Sequence, residues 1–389
     1  MPAQAHDTPR NGPLHGITVV EIGHSVAAPY AGLILAELGA RVIKVENPAS
    51  GDYARGWGPP FWNGAASAFQ CLNRGKEGIA VDFSDREQAT ALRRLIVEKA
   101  DAVIQNLRLG VLDRHGIGCE ALRREKPALI WVDIGAFGDA GPLADKPGYD
   151  PLMQAFTGIM SVTGENGRPP VRVGVSLVDM GSGMWAVIGL LTQLLSRAKS
   201  GQGGHIGASL FETGLAWMTI PLAAYAANGE VRRPQGSGAA EIVPYQAFRT
   251  ADGLLMIAAG NDNLFRRFMR ALDCADLADD PAFASNAARV VGRERLVALI
   301  EERTARFSTA ALAAALDAAG VPNALIQTVD QVLVHAQTQA SGMVAESDGL
   351  PTVGLPLRLD GIRPRAASAA PTLGEDNAMI AALPVKAAS

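Results

Sequence analysis

Ile17-Thr-Val-Val-Glu-Ile22 leads through Gly23-His-Ser-Val-Ala-Ala-Pro-Tyr-Ala-Gly32 into a helical pattern over about Pro29 to Leu38, and Arg41-Val-Ile-Lys-Val-Glu46 follows. β-Branched runs separated by a turn and one helix make a strand–helix–strand unit, the repeat of a parallel α/β sheet. Reading outward, Gly78 to Phe83, Asp101 to Gln105 and Ala128 to Ile134 extend the rhythm as further strands. Ser84-Asp-Arg-Glu87 has the capping-box spacing, so it opens a helix that runs through Lys99 with Ser84 as N-cap.

Past Pro147 the pattern changes. Helices are expected over about 149–160 and 180–199, joined by the turn-rich 163–170, and Gly201-Gln-Gly-Gly204 stops the second. His205 to Ala208 is a strand, and Ser209-Leu-Phe-Glu212 is a second capping box opening a long apolar helix. The stretch 228–238 is rich in Gly, Pro and Arg and is expected to be a linker. From Tyr245 to about Gly320 a hairpin-like piece and Ala- and Leu-rich helices form a smaller domain.

A chain of 389 residues exceeds what one core usually serves, so two domains are expected. With 48% hydrophobic and 19% charged residues it is globular rather than disordered. A net charge of −4 offers no attraction for nucleic acid. Cys71, Cys119 and Cys274 follow no paired spacing and the six histidines form no H-E-x-x-H pair, so neither a disulfide framework nor a metal site is expected. The polar N-terminus lacks a signal core, and the apolar run Met184 to Leu195 is short for a bilayer. The expectation is a soluble, cytoplasmic protein with no membrane partner.

The first turn lacks G-x-G-x-x-G, which disfavours a nicotinamide or flavin cofactor. A helix N-terminus there suits a nucleotide phosphate equally with an ordinary turn. Asn73-Arg-Gly-Lys76 and the segment from Asn106 to Arg114 could bring cations to the carboxyl edge of a parallel sheet, or be surface loops. Gly174-Val-Ser-Leu-Val178 breaks the serine-hydrolase elbow. Asp179 is the sharpest position. An N-cap role competes with a nucleophilic one, but Gly181 and Gly183 early in a helix imply that something approaches the backbone closely. The helix dipole is expected to hold the Asp179 carboxylate ionised, as a nucleophile requires. Tyr149-Asp150 reads as a turn and helix start.

Taken in order, Ala28-Pro29, Gly39 to Glu46, Asn73 to Lys76 with Asp82, Asn106 to Arg114, Phe137 to Pro142, Pro147 to Asp150, Asp179 with Gly183, Gly201 to Glu212, Pro244 to Phe248 with Asp252-Gly253, and Gly320 to Pro322 resemble the family III CoA-transferases. The group includes formyl-CoA and carnitine CoA-transferases. The resemblance implies an α/β fold. A Rossmann-like large domain would be built from both chain ends, 1–225 and 325–389, around a smaller α+β domain over 226–324, in an interlocked homodimer. It implies coenzyme A as substrate with no tightly bound cofactor, an acyl-CoA and a carboxylic acid as partners, and Asp179 as catalytic residue. The implied CoA contacts are Val26, Ala27, Asn73, Lys76, Asn106, Leu107, Arg114 and Tyr149. His24, Gly236, Ser237, Gly238 and Glu241 are substrate-pocket candidates. Asn47 stands where relatives often carry a basic CoA contact, and Gly236 to Glu241 replaces a glycine-only loop. That polar stretch and the family's habits suggest dicarboxylic substrates with succinyl-CoA as donor. The same fold carries α-methylacyl-CoA racemases, so a racemase-like enzyme is the alternative reading and a catalytically inactive CoA-binding protein the second. The racemase histidine falls on Tyr149, a poor base at neutral pH with an ordinary pKa of about 10.

Overall fold

A computed structural model describes residues 12–366 and 368–381. Six parallel strands form its main sheet: β1 (Thr18–Ile22), β2 (Arg41–Glu46), β3 (Glu77–Ala80), β4 (Ala102–Gln105), β5 (Ile130–Gly135) and β6 (His205–Ser209), in the order β3-β2-β1-β4-β5-β6. This doubly wound order reverses between β1 and β4, and ligands collect outside the carboxyl ends of the strands at such a point. Val19, Val20, Ile22, Val42, Ile43 and Val103 are wholly or almost wholly buried because both sheet faces are covered. Helix α1 (Ala27–Glu37) follows β1, and α2 (Arg86–Lys99) places Leu92, Leu95 and Ile96 in a core with Ile43, Ile79 and Trp131. Truncating one of these, Ile96→Ala, removes about 2–5 kcal/mol.

Two further helices set the site. α3 (Asp150–Phe156) is short, and α4 (Leu177–Ser200) has 24 residues. α4 is long enough to cross a membrane, with a hydropathy of 1.3, so length alone is a weaker argument than the run Met184 to Leu195 suggested. One side of it, with Val178, Gly181, Gly183, Ala186, Val187 and Leu190, is buried, while Met184, Trp185, Ile188 and Leu195 are exposed. A Cβ on Gly183 would stand 2.6 Å from the Ala27 carbonyl oxygen of α1, and one on Gly181 would meet Thr213 and Trp217 at about 3 Å. The close approach implied by these glycines is therefore helix packing. α5 (Leu210–Trp217) begins at Ser209, whose hydroxyl accepts the Glu212 N–H at 3.1 Å and donates to the Glu212 carboxylate at 2.6 Å.

The cap of α2 differs from expectation. Asp85, not Ser84, is the N-cap; its carboxylate accepts from the Glu87 and Gln88 N–H groups, while Ser84 donates to Asp82 at 2.6 Å. A carboxylate at the dipole's positive end displaces the hydroxyl one residue earlier.

Strand β3 is an edge strand, and the C-terminal segment closes it. Its Gly78 and Ala80 N–H groups donate to Asp376 and Asn377 side-chain oxygens at 2.7 and 2.8 Å, and the Gly78 carbonyl accepts the Asp376 N–H at 2.8 Å.

The chain divides into two compact units. Among the described residues the first takes in 12–159, Arg172–Ala224 and 337–381; the second takes in Met160–Val171 and Tyr225–Ala336. The second therefore runs past residue 324. One cause is β9 (Asn323–Leu325), which pairs antiparallel with β8 (Leu254–Ala258), itself paired with β7 (Tyr245–Arg249). Phe248, Leu255, Ile257, Phe265, Phe268, Leu296 and Leu312 form that unit's own buried core.

Candidate active site

A cavity of about 610 Å³ opens at the sheet's switch point. The segment after β1 contributes His24, Ser25, Val26 and Ala27; the end of β4 and the segment beyond it contribute Gln105, Asn106, Leu107, Arg108 and Arg114. Asp133 to Ala136 end β5, the loop before α3 brings Asp145, Lys146 and Tyr149, and Asp179 looks in from α4. The fold thus gathers Asp179, His24, Val26, Ala27, Asn106, Leu107, Arg114 and Tyr149 around one space. Arg108, Arg114 and Lys146 are exposed cations along it, which suits a polyanionic ligand.

The 23–27 turn is held from below. Lys44 on β2 donates to the Gly23 carbonyl at 2.9 Å and pairs with Glu21 (3.0 Å) and Asp52 (2.9 Å). Asp52 accepts the Ser25 N–H at 2.9 Å, where Ser25 takes a left-handed φ of 69°, and the Ala54 N–H at 2.9 Å. Lys76 completes a buried quartet by pairing with Glu21 at 2.7 Å. Gly32 makes room for the quartet, since a Cβ there would stand 2.0 Å from a Glu21 oxygen. Burial disfavours the Lys44 ammonium, but Glu21, Asp52 and Glu46 outweigh it and raise its pKa. Lys76 pairs with one carboxylate where Lys44 pairs with two, and burial brings it down to about 8.

This arrangement corrects two expected CoA contacts. Asn73 and Lys76 are buried, and neither lines the cavity. The Lys76 ammonium is committed to Glu21, the Pro29 carbonyl (2.8 Å) and the Asn73 side chain (2.7 Å). Two hydrogen bonds and a buried ion pair occupy the ammonium away from the cavity. Asn106 lines the cavity, yet its amide is committed to the backbone of His24 as acceptor (3.0 Å) and donor (2.9 Å), so it shapes the turn. Asn47 accepts the Ala49 and Ser50 N–H groups in a tight turn and is not a cavity residue. Gly236, Ser237, Gly238 and Glu241 belong to the second unit. There Gly236 donates to the Gly164 carbonyl (2.7 Å), Ser237 accepts the Ala247 N–H (2.9 Å), and Glu241 pairs with Arg232.

Tyr53 was not foreseen from the sequence; it lines the cavity and meets His24 edge-on with ring centroids 5.1 Å apart. Its placement depends on Asp52 meeting Ser25, a contact with no sequence spacing to signal it. Burial pushes the His24 imidazole below its ordinary value, against the pull of Asp52.

Asp179 is the third residue of α4, after Ser176 as N-cap. Burial, reinforced by the Asp150 carboxylate, pushes it up to about 7. The expectation that the helix dipole keeps it firmly ionised is corrected: Asp150 takes up the Val178 and Asp179 N–H groups, and loss of water outweighs what remains of the dipole. The resulting carboxylate is basic for its type and faces open space.

Residues 14–377 match CoA-transferase family III. The chain belongs to the family III CoA-transferases. Over 384 residues this CoA-transferase is 36% identical to the succinate–glutarate CoA-transferase of Agrobacterium fabrum, covering 96% of each chain. It is 34% identical over 371 residues to the acetyl-CoA:oxalate CoA-transferase of Acetobacter aceti, covering 95% of each. Its structure aligns with a CaiB/BaiF family protein from Brucella suis with a TM-score of 0.86 and 40% identity, over 96% of this chain and 99% of that one. The parallel sheet and cavity described above thus belong to an enzyme that transfers CoA from an acyl-CoA to a free carboxylic acid.

Proposed function

We propose that the enzyme takes CoA from succinyl-CoA or another dicarboxylyl-CoA and passes it to a free carboxylic acid through a covalent aspartyl intermediate on Asp179. The observation that carries the reading is the Asp179 carboxylate itself, basic and facing a cavity rimmed by Arg108, Arg114 and Lys146. Val26 and Ala27 start α1, which no side chain caps, so its first N–H groups suit a phosphate or a developing oxyanion. Tyr149, 53% exposed on the cavity wall, steadies CoA or the acyl group. No tightly bound cofactor is needed.

The steps balance without redox change or net proton transfer. An Asp179 oxygen attacks the thioester carbon, the C–S bond breaks, and CoA leaves as thiolate from a mixed anhydride. The thiolate attacks the aspartyl carbonyl and expels the donor acid, leaving an aspartyl–CoA thioester. The acceptor carboxylate repeats the sequence in reverse and frees Asp179. Covalent catalysis splits one difficult transfer into steps of lower barrier.

The dicarboxylic assignment is supported by the succinate–glutarate relative. A cytoplasmic homodimer with interlocked subunits completes the proposal. Exposed Met184, Trp185, Ile188, Leu195, Trp217, Ile220 and Leu222 support a covered surface. The deciding experiment incubates the enzyme with succinyl-CoA and C4 to C6 carboxylates and identifies CoA esters by mass spectrometry. Hydroxylamine added during turnover should modify Asp179 in the wild type and leave Asp179→Asn untouched; an unmodified wild-type Asp179 would count against the covalent route.

A further inference from the structure

No hydrogen bond holds the Asp179 carboxylate among the described residues, so the aim of the nucleophile is inherited from the backbone of its helical turn. A helix start leaves several N–H groups without helical partners, and the N-cap Ser176 supplies no side-chain bond. The missing acceptor comes from α3. The Asp150 Oδ2 accepts the Val178 N–H at 2.7 Å and the Asp179 N–H at 3.2 Å. Its Oδ1 accepts from Gln154 Nε2 at 2.5 Å, one turn along the same helix, and Gln154 Oε1 accepts the Val173 N–H at 2.8 Å. Asp150 is 3% exposed and Gln154 fully buried. Two buried side chains therefore grip the segment leading into α4 at Val173 and at Val178–Asp179.

We propose that Asp150, braced by Gln154, is a positioning residue that fixes the first turn of α4 and thereby aims Asp179 into the cavity. The inference rests on Asp179 being the nucleophile. A buried carboxylate is a costly way to cap a helix unless something more depends on it. Here the same group sits beside the nucleophile, and Asp150 contributes to the basicity of Asp179. Because reacting atoms must meet at about 3–3.5 Å, a displacement of about 1 Å at the carboxylate costs about a hundredfold in rate.

The test uses the full-length enzyme, the best acyl-CoA and acid pair from the panel above, and calorimetric binding of free CoA. Asp150→Ala should lower kcat about a hundredfold, and Gln154→Ala about tenfold, with the CoA Kd within about threefold of wild type. Asp150→Asn keeps one acceptor for the Val178 N–H and should recover to within about tenfold of wild-type kcat. An unchanged kcat in Asp150→Ala, a Kd that weakens in step with kcat, or an Asn variant no better than Ala would each overturn the assignment. If Asp150→Ala does not fold, Gln154→Ala decides: reduced kcat at constant Kd supports the clamp, and unchanged kcat removes it. Asp179→Asn separates the two readings. Its activity must vanish if Asp179 is the nucleophile, whereas an inactive Asp179→Asn beside an indifferent Asp150→Ala would sink the clamp alone.

Discussion

Replacing Asp179 with Asn should abolish catalysis and make the protein more stable, and the two effects have one cause. An amide cannot form the anhydride, so transfer should fall by several orders of magnitude. The stability effect follows from the proton. Burial and Asp150 raise the folded-state pKa to about 7, whereas an aspartate in the unfolded chain titrates near about 3.9. A raised folded pKa means the native state holds its proton more tightly. The stability linked to that proton is complete below about pH 4, declines as pH rises, and is lost once pH passes about 7. Three pKa units correspond to on the order of 4 kcal/mol. Asn carries no such dependence. The melting temperature of Asp179→Asn should therefore match wild type near pH 4 and exceed it by several degrees at pH 8. Paired thermal melts across pH 4 to 8 measure this, since titrating groups away from the Asp179–Asp150 pair cancel between the two proteins. A difference that is absent at pH 8, or constant with pH, refutes the account of a desolvated nucleophile.

The wild-type kcat/KM should rise with an acid limb near pH 7 as Asp179 deprotonates; a limb near pH 4 in a pH–rate profile contradicts the raised value. Lys76→Met should destabilise the fold by about 3–5 kcal/mol, because Glu21 loses a buried partner. Its KM for acyl-CoA should stay near wild type, and a large KM increase in a stably folded variant would restore Lys76 as a CoA contact. Tyr149→Phe should weaken turnover about two- to tenfold through one lost hydrogen bond, or about 0.5–1.5 kcal/mol. A hundredfold loss, together with Tyr149-dependent deuterium exchange at the α-carbon of a 2-methylacyl-CoA, would point instead to racemase chemistry. Rapid subunit exchange between two tagged forms of the enzyme would contradict interlocked subunits, which part only by unfolding.

The β1–α1–β2 unit was legible because strands buried on both faces need unbroken apolar runs, and Arg41–Glu46 falls where that pattern put it. Asp179 stood out in the sequence because glycines follow it in a helix, but those glycines serve helix packing, and its place on the cavity wall came only with the fold. Its titration was not legible, since Asp150 lies 29 positions earlier and reaches the first turn of α4 only in three dimensions. Lys76 misled for a related reason. A lysine at a strand's approach reads as a surface cation, and nothing in its neighbours announces Glu21 and Asn73 waiting as partners. The Asp85 cap shows the finer limit: two good capping residues stand side by side, and only geometry chooses.

The seal on β3 has a consequence for the life of the chain before it reaches this fold. Asp376 and Asn377, which cover the Gly78 and Ala80 N–H groups, are translated 298 and 297 residues after them. Until those two residues are made, the outer strand of the sheet is an open pairing template, the kind that invites strand addition from a neighbouring chain. A nascent polypeptide interrupted before residue 376, or a protease clipping the tail, leaves that template permanently uncovered. Such fragments should accumulate as insoluble material even though the cavity-forming sequence is intact, so tail integrity governs yield more than it governs chemistry.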